Sequence, residues 1–150
     1  MAVSAEVRRH ALGVLAKADL ATLDQCWQSL GLAPRFRHLR PPETGLVMLR
    51  GRAGGTGAPF NFGEMTMTRC SVLLEDRTVG HGYVGGSNPR HAELAALCDA
   101  LLQTEAHSAA VERQVIRPLE KAAVRHRRAT ASRAAATRVD FFTVARETGG

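Results

Sequence analysis

The fold is decided between Met65 and Val84, where the chain reads Met65-Thr-Met-Thr-Arg-Cys-Ser-Val-Leu-Leu74, then Glu75-Asp-Arg-Thr78, then Val79-Gly-His-Gly-Tyr-Val84. The two outer segments are short and rich in β-branched and other apolar residues, which is typical of strands. The polar segment between them has the length of a hairpin turn. Because no helical crossover of a dozen residues separates the two segments, they are predicted to pair antiparallel.

Two more runs of strand-like composition lie upstream, from Arg35 to Arg40 and from Leu46 to Arg52. Both are short and punctuated by Gly and Pro, so they predict two further strands. With the pair described above, the sheet is predicted to have about four antiparallel strands.

Apolar residues spaced three and four apart predict two helices before this sheet. The first runs from Ser4, its N-cap, to Lys17, and the second from Leu20 to Leu30, where Gly31 ends it. The connection between them is short, so the two helices are predicted to form a hairpin.

Two more helices are predicted after the sheet. One follows Asn88-Pro89, with apolar residues at i, i+3, i+4, i+7 and i+8: Leu94, Leu97, Cys98, Leu101 and Leu102. The other is rich in Ala and Arg and extends from about Ala109 to Ala136, with a kink or break at Pro118. The predicted fold is therefore α+β, with an N-terminal helical hairpin, an antiparallel β-sheet of about four strands and C-terminal helices, in a single domain that spans residues 1–150.

The composition excludes several classes of protein. The chain has 150 residues, of which 45% are hydrophobic, enough for one domain to bury a core. Cys26, Cys70 and Cys98 are widely separated and form no C-x-x-C pair, so they indicate neither a disulfide framework nor a zinc site and are predicted to be small buried hydrophobic residues. No apolar run approaches the roughly 20 residues of a membrane span. We therefore expect a cytoplasmic protein without a metal site.

The net charge of +6 is concentrated near the C-terminus. Between Val111 and Arg138, eight basic residues stand against two acidic ones, and the rest of the chain is neutral: Arg113, Arg117, Lys121, Arg125, Arg127, Arg128, Arg133 and Arg138 against Glu112 and Glu120. A solvated helix face is favoured over nucleic-acid binding because no aromatic residues interleave with the arginines. A docking surface for an acidic protein or a nucleotide is a third interpretation, in which Arg125 and Arg128 are candidate partner contacts. The alternative function is a basic nucleic-acid-binding module that uses the Arg113 to Arg138 helix.

A glycine-rich loop follows the second predicted strand, in the sequence Arg52-Ala-Gly-Gly-Thr-Gly57. The backbone N–H groups of such a loop, the Thr56 hydroxyl and the charge of Arg52 are able to bind an anion. The loop lacks the G-x-x-x-x-G-K-[ST] pattern and precedes a strand, so it is not a nucleotide P-loop. The competing interpretation is a plain turn between strands. The candidate anion or substrate contacts here are Arg52, Gly54, Gly55, Thr56 and Gly57.

Two other residues are candidate anion contacts. Strand alternation places Arg69 on the same face as Met65 and Met67, where it is a partner contact, an anion ligand or an edge residue that reaches water. His91 lies at the start of the predicted third helix, whose N-terminus favours a phosphate or carboxylate. His91 and Glu93 are two residues apart on a helix and therefore diverge, so they do not chelate a metal together.

The segment Arg138-Val-Asp-Phe-Phe-Thr143 carries two adjacent aromatic residues near the end of the chain. Phe141 and Phe142 are predicted to insert into this domain or into a neighbouring subunit, which makes them candidate partner contacts. No Ser-His-Asp or Cys-His arrangement, H-E-x-x-H motif or dinucleotide fingerprint occurs in the sequence. No catalytic residue is assigned, and a self-sufficient enzyme is not indicated.

Seven motifs in the same order resemble those of the PhnG family, and they cover nearly the whole chain: Glu43-Thr-Gly-Leu-Val47, Arg52-Ala-Gly-Gly-Thr-Gly57, Thr66-Met-Thr-Arg69, Gly80 to Gly86, His91-Ala-Glu93 with Asp99, Pro118-Leu119 and Val139-Asp-Phe-Phe-Thr143. The resemblance implies a subunit of the carbon-phosphorus lyase core complex. The chain departs from the family's pattern mainly in the N-terminal helices and in the basic helix near Arg125 to Arg133.

The resemblance also implies a reaction and a set of partners. Such a subunit of alpha-D-ribose 1-methylphosphonate 5-triphosphate synthase acts with PhnH, PhnI and PhnL to transfer ribose 5-triphosphate from ATP to methylphosphonate, with release of adenine. PhnI is the principal catalytic subunit of the family's assembly, and PhnJ, a radical enzyme, completes a two-fold core. ATP is then the substrate of the complex, and this chain itself is expected to bind no cofactor.

Overall fold

The computed structural model describes residues 3–137. The chain forms helices α1 (Ala5–Lys17) and α2 (Leu20–Leu30), strands β1 (Phe36–Arg52), β2 (Pro59–Leu74) and β3 (Val79–Gly85), and helix α3 (Pro89–Leu102). A short helix α4 (Ser108–Val111), a π-helical turn (Glu112–Ile116) and helix α5 (Arg117–Ala136) follow. A 3₁₀ turn (Ala53–Gly55) joins β1 to β2. The predicted α+β class, with helices before and after an antiparallel sheet, is confirmed.

The helix boundaries follow from local capping. The Ser4 hydroxyl accepts a hydrogen bond from the Val7 N–H, and the Asn88 side chain accepts one from the His91 N–H. At the end of α2, Gly31 adopts the left-handed conformation, with φ of +61°. The predicted N-cap at Ser4 and the predicted stop at Gly31 are both confirmed.

The sheet has three strands in the order β1-β2-β3, so the predicted strand count of about four is wrong. The segments around Arg35 to Arg40 and Leu46 to Arg52 belong to one 17-residue strand, β1. Pro41 and Pro42 do not end this strand. Adjacent N–H groups point to opposite sides of a strand, so the edge position of β1 accounts for one missing donor, and the irregular pairing with β2 between Arg40 and Glu43 accounts for the other. Register shifts between His38 and Glu43 absorb the irregular backbone.

Helix α3 packs directly on β3 and forms the centre of the core. A Cβ at Gly80 or Gly82 would lie 2.0 Å from the carbonyl oxygen of Ala96 or Ala92, respectively, so only glycine permits this close approach. Eleven of the fourteen residues of α3 are buried, because the sheet covers one side of the helix and other helices cover the rest. The largest fully buried apolar side chains are Leu15, Leu23, Val72, Val84, Leu94, Leu101, Val111, Val115 and Ile116.

The outer edge of β3 is closed by side chains from α3. Asp99 is 1% exposed and accepts hydrogen bonds from the Arg8 guanidinium through both carboxylate oxygens, at 2.8 Å each, and from the His81 backbone N–H at 2.8 Å. The hydrogen bond to Asp99 raises the pKa of Arg8. Gln103 donates to the Val79 carbonyl oxygen at 2.8 Å. The buried Asp99 carboxylate and the partly exposed Arg8 guanidinium therefore join α1, α3 and β3, and the carboxylate satisfies a backbone N–H that an open edge would leave to solvent.

The irregularity predicted at Pro118 takes the form of a π-helical turn immediately before it, at Glu112–Ile116. Beyond this turn, α5 buries only Leu119 among its described residues, and its residues from Ala123 onward are exposed. Within residues 3–137, no helix combines the length and the apolar character needed to cross a bilayer.

Candidate functional site

Strands β1 and β2 extend well past the end of β3 and form a two-stranded ribbon. Strand β3 pairs with β2 only from Leu73 to Met67, so the segments 46–52 and 59–66 pair with each other alone. We call residues 46–66 the β arm. Seven residues at about 3.3 Å each give the arm a length of about 23 Å.

One face of the arm continues the sheet face that carries Thr68 and Cys70, which are buried against α3 at 0% and 1% exposure. We call it the helix-side face. On the arm it presents Leu46 and Met48, which are 66% and 58% exposed because no described helix extends far enough to cover them. Arg50 and Arg52 follow on the same face by alternation.

The opposite face of the arm, which we call the open face, carries the aromatic residues. Phe60 and Phe62 are 49% and 58% exposed, and their ring centroids lie 6.1 Å apart. The Phe62 ring lies over Gly51, where an added Cβ would be 3.0 Å from a ring carbon. Met65 and Tyr83, 38% and 50% exposed, extend this apolar surface toward the body of the sheet.

The arm therefore exposes large apolar side chains on both faces. A two-stranded ribbon is at best marginally stable by itself in water, and monomeric soluble proteins rarely expose contiguous apolar patches of more than a few hundred Å². These properties are typical of a surface that another protein covers.

The predicted anion loop lies at the tip of the arm. Gly54 and Gly55 have φ of +61° and +80°, the left-handed region that favours glycine. The Gly57 N–H donates to the Ala53 carbonyl oxygen at 3.0 Å, and Arg52 donates to the Gly57 carbonyl oxygen at 3.1 Å. The loop is thus a self-bonded hairpin turn. Its binding of an anion, with Thr56 as a further donor, stays a prediction.

Arg69 lies at the base of the arm, on the open face. Glu43 accepts hydrogen bonds from Arg40 at 2.6 Å and from the Arg69 Nε. These bonds, first from Arg40 and then from Arg69, lower the pKa of Glu43. Arg69 pairs with Glu43 in the sheet register, nine residues before Arg52 along β1, which corresponds to about 30 Å. Arg69 and the tip loop therefore do not form one site.

His91 is buried in the body and has a structural contact. It is 7% exposed, and its Nε2 donates to the Leu15 carbonyl oxygen at 2.8 Å, which joins the first turn of α3 to the end of α1. The predicted role of His91 in anion binding stays a prediction, although that nitrogen already has a partner within the protein. Among residues 3–137, no group of three or more His, Cys, Asp or Glu side chains is arranged to hold a metal ion.

An open cleft of about 750 Å³ lies between α1 and β3. Arg8, Arg9, Arg77 and His81 line it, and Arg77 has a positive φ of 70° in the β2–β3 turn. Such a cleft is able to hold an anionic group. Sequence reasoning missed it because Arg8 and Arg9 meet His81 only through the packing of α1 on β3.

The basic residues of α5 form a stripe on one side of the helix. Arg117, Lys121, Arg125 and Arg128 are spaced by four, four and three residues, so they share one face, and all four are exposed. We call them the basic stripe. Partner contact by Arg125 and Arg128 stays a prediction. The other candidate contacts, Phe141 and Phe142, lie outside the described residues.

Burial makes the cysteines poor nucleophiles. It raises the pKa of Cys70 to about 11 and that of Cys98 to about 12, and it also raises the pKa of Cys26, which is less buried. All three are free thiols. The prediction of small buried residues is confirmed for Cys70 and Cys98.

Comparison with known proteins gives two findings. The family model described as "Phosphonate metabolism protein PhnG" matches residues 6–147. A protein of Rhizobium meliloti (strain 1021), named alpha-D-ribose 1-methylphosphonate 5-triphosphate synthase subunit PhnG, is 45% identical over 142 residues. The match covers 93% of this chain and 88% of the relative. Both findings agree with the resemblance drawn from the seven motifs.

Proposed function

This chain belongs to the PhnG family of phosphonate metabolism proteins, and we propose that it is a subunit of the carbon-phosphorus lyase complex. It acts in the cytoplasm with PhnH, PhnI and PhnL in the transfer of ribose 5-triphosphate from ATP to methylphosphonate, with release of adenine. The assembly is a two-fold hetero-oligomer that also contains PhnJ. Within it, this chain has a scaffold or co-catalytic role.

The observation that carries this proposal is the β arm. Its large side chains are exposed on both faces, with Leu46, Met48 and Phe62 between 58% and 66% exposed. When an assembly covers such side chains, removing them from water contributes favourable binding free energy. In a free-standing monomer the same side chains stay in water, which is unfavourable.

The described side chains favour a scaffold or co-catalytic role, because several of the polar and titratable ones are engaged in structural contacts. Asp99 is bonded to Arg8, His91 is bonded to the Leu15 carbonyl oxygen, and the thiols of Cys70 and Cys98 are buried. Among residues 3–137, the Ser71 hydroxyl lies 3.0 Å from the His81 Nδ1 on the exposed side of the sheet. A hydroxyl beside an imidazole assigns no reaction without a third group that orients the base and donors that stabilise developing charge, so we assign no catalytic role to this pair. The reacting groups then come from companion subunits, and ATP is a substrate of the whole complex.

The loop at the tip of the arm supplies the proposed ligand contact. Arg52, Gly54, Gly55 and Thr56 are exposed at the far end of the arm, where they contribute to a site shared with a partner. Replacement of Arg52 by Ala should raise the KM of the assembled complex for ATP. An unchanged KM would remove Arg52 from the ligand site.

The test of the proposed function is co-expression with PhnH, PhnI, PhnJ and PhnL type subunits, followed by mass measurement of the intact complex. We expect this chain in a stable complex that consumes ATP in the presence of methylphosphonate, and no ATP consumption by the isolated chain. A stable, inert monomer that ignores all four companions would overturn the proposal.

The basic stripe on α5 favours one alternative function, a nucleic-acid-binding module. This alternative predicts binding of RNA or DNA whose affinity falls steeply with salt. Absent or salt-insensitive binding in a filter or fluorescence assay would remove it.

A further inference from the structure

We propose that the β arm inserts into a cleft of a companion subunit, whose two apolar walls clamp both faces of the arm and whose far end carries carboxylates. The inference rests on the proposed function, because it requires that this chain is one subunit of an assembly. It adds the mode of contact and the chemistry of the partner surface.

The two-sided exposure requires two walls. On the helix-side face, Leu46 and Met48 are 66% and 58% exposed, and on the open face Phe60, Phe62 and Met65 are between 38% and 58% exposed. A flat partner surface would cover one of these faces and leave the other in water. A partner that covers both faces must extend along both sides of the ribbon.

The sequence of β1 also indicates a strand that is apolar on both faces. Residues 46–49 read Leu-Val-Met-Leu, an unbroken apolar run, whereas a strand with one solvated face alternates apolar and polar residues. An unbroken run is typical of a strand that is buried on both sides. The arm therefore has the composition of an interior strand, although the described residues leave Leu46 and Met48 exposed on one face and cover Val47 and Leu49 on the other only in part.

The edges of the arm are open as well. Strand β3 ends at Gly85, so the outer edge of β2 from Pro59 to Met65 has no described neighbour, and the outer edge of β1 has none. The β3 edge differs, because Asp99 and Gln103 bond to its backbone. A strand of the partner that lines the cleft is thus able to pair with an edge of the arm through backbone hydrogen bonds.

The charges specify the far end of the cleft. Arg50 and Arg52 lie near the tip, and the sole acidic residue among residues 46–66 is Glu64, which pairs with Met48 nearer the base. The tip is therefore positive and the middle of the arm is apolar. A complementary cleft has apolar walls and carboxylates at its closed end.

The same charges argue against a second copy of this chain as the occupant. Two arms packed tip to tip would bring four arginines together, from Arg50 and Arg52 of each copy. Two arms packed tip to base would place this pair against the base cluster of Arg40, Glu43 and Arg69, which has a net charge of +1. Both arrangements are repulsive, and each would leave one face of the arm uncovered.

The experiment compares single substitutions on the two faces. Met48→Glu changes the helix-side face, Phe60→Glu changes the open face, and Val7→Glu, at an apolar residue of α1 that is 48% exposed, is the matched control. Each purified full-length variant is titrated into a complex of the companion PhnH, PhnI, PhnJ and PhnL type subunits, and Kd is measured. We expect Kd to rise about 30-fold or more for Met48→Glu and Phe60→Glu and to change less than about threefold for Val7→Glu.

Each other outcome has a definite meaning. An effect of only one arm variant means that a single wall contacts the arm, and no effect of either means that the arm is not the docking element; both overturn the clamp and leave the proposed function intact. If the isolated chain dimerises and the arm variants dissociate that dimer, a second copy is the occupant and the clamp is wrong. If the wild-type chain binds no companion, the proposed function itself fails. Unchanged melting temperatures of the variants exclude unfolding as the cause of weaker binding.

Discussion

The β arm and helix α5 both extend away from the core, but their surfaces are opposite in kind. The arm exposes Phe60, Phe62, Leu46 and Met48, whereas the basic stripe lies on a helix whose only buried residue is Leu119. Burying one large apolar side chain contributes about 1.5–3 kcal/mol, and an exposed ion pair contributes about 0–1 kcal/mol. If the proposed function holds, this difference predicts that the arm sets how tightly the subunit is held and that α5 sets how fast and how selectively it binds.

The largest expected effect comes from disrupting both faces of the arm at once. The double variant Met48→Glu/Phe60→Glu should weaken binding to the companion subunits by about 1,000-fold, because two losses of about 30-fold each add in free energy at separate contacts. The free energy of unfolding of the isolated chain should fall by no more than about 1 kcal/mol, since both side chains are already exposed and the new carboxylate at position 48 is repelled only by Glu64 on the opposite strand. Titration by calorimetry and thermal melting measure the two quantities. A double variant that binds like the wild type would contradict the assignment of the arm as the docking element.

The next largest effect is expected when a glycine of the body, compared with a glycine of the arm, is replaced by alanine and the free energy of unfolding is measured. Gly82→Ala should lower the free energy of unfolding by about 1–3 kcal/mol or more, because its Cβ would lie 2.0 Å from the Ala92 carbonyl oxygen and must push α3 away. Gly63→Ala is the matched control, because an added Cβ there has no heavy atom within 4 Å. Denaturant unfolding of the two variants measures the contrast. Equal stability would show that α3 does not rest directly on β3.

Charge reversal on α5 should act on the association rate. Arg125→Glu/Arg128→Glu should lower the association rate constant with the companion subunits about tenfold at low salt, with little change in the dissociation rate, because exposed charges steer encounter. Surface plasmon resonance at two salt concentrations measures both constants. A dissociation rate that rises as much as in the arm variants would place α5 inside the tight interface.

The smallest effect is expected at the base of the arm. Hydrogen bonds from Arg40 and Arg69 hold the pKa of Glu43 below its ordinary value of 4.5, so the folded state stabilises the charged carboxylate. This contribution is present above the unfolded pKa and is lost as the pH falls through the lower folded pKa. Glu43→Gln should therefore melt slightly below the wild type at pH 7 and together with it at the acid end. Melting temperatures measured across this range test the sign, and a difference that grows toward low pH would contradict it.

Most of the helical part of the fold was predictable from the sequence. Ser4 and Gly31 act through local hydrogen bonds and φ values, so a few residues of sequence suffice to place the ends of α1 and α2. The join of two predicted strands into β1 was not predictable in the same way. Pro41 and Pro42 are tolerated because this strand lies at a sheet edge and because the pairing with β2 is irregular between Arg40 and Glu43, and both are properties of the whole sheet.

Some features of the candidate site were likewise predictable from the sequence, and others depend on packing. Sequence reasoning found the glycine loop and the basic helix, because glycine runs and charge runs are visible in the chain itself. It missed the apolar surface of the arm, because the residue types of Leu46 and Phe62 do not tell whether a helix covers these side chains in the folded protein. It also missed the contact of Arg8 with Asp99, which are 91 residues apart and meet through the packing of α1 on α3.

The sequence by itself determined the α+β class, the capped helices, the antiparallel pairing, the basic stripe and, through its motifs, the PhnG family. Each of these rests on neighbours within a few residues or on the order of short motifs. Tertiary structure alone decided which apolar residues are covered, because burial depends on where α3 ends relative to the strands beneath it. Since β1 and β2 extend beyond α3 and β3, residues with the composition of a core lie on the surface of this subunit.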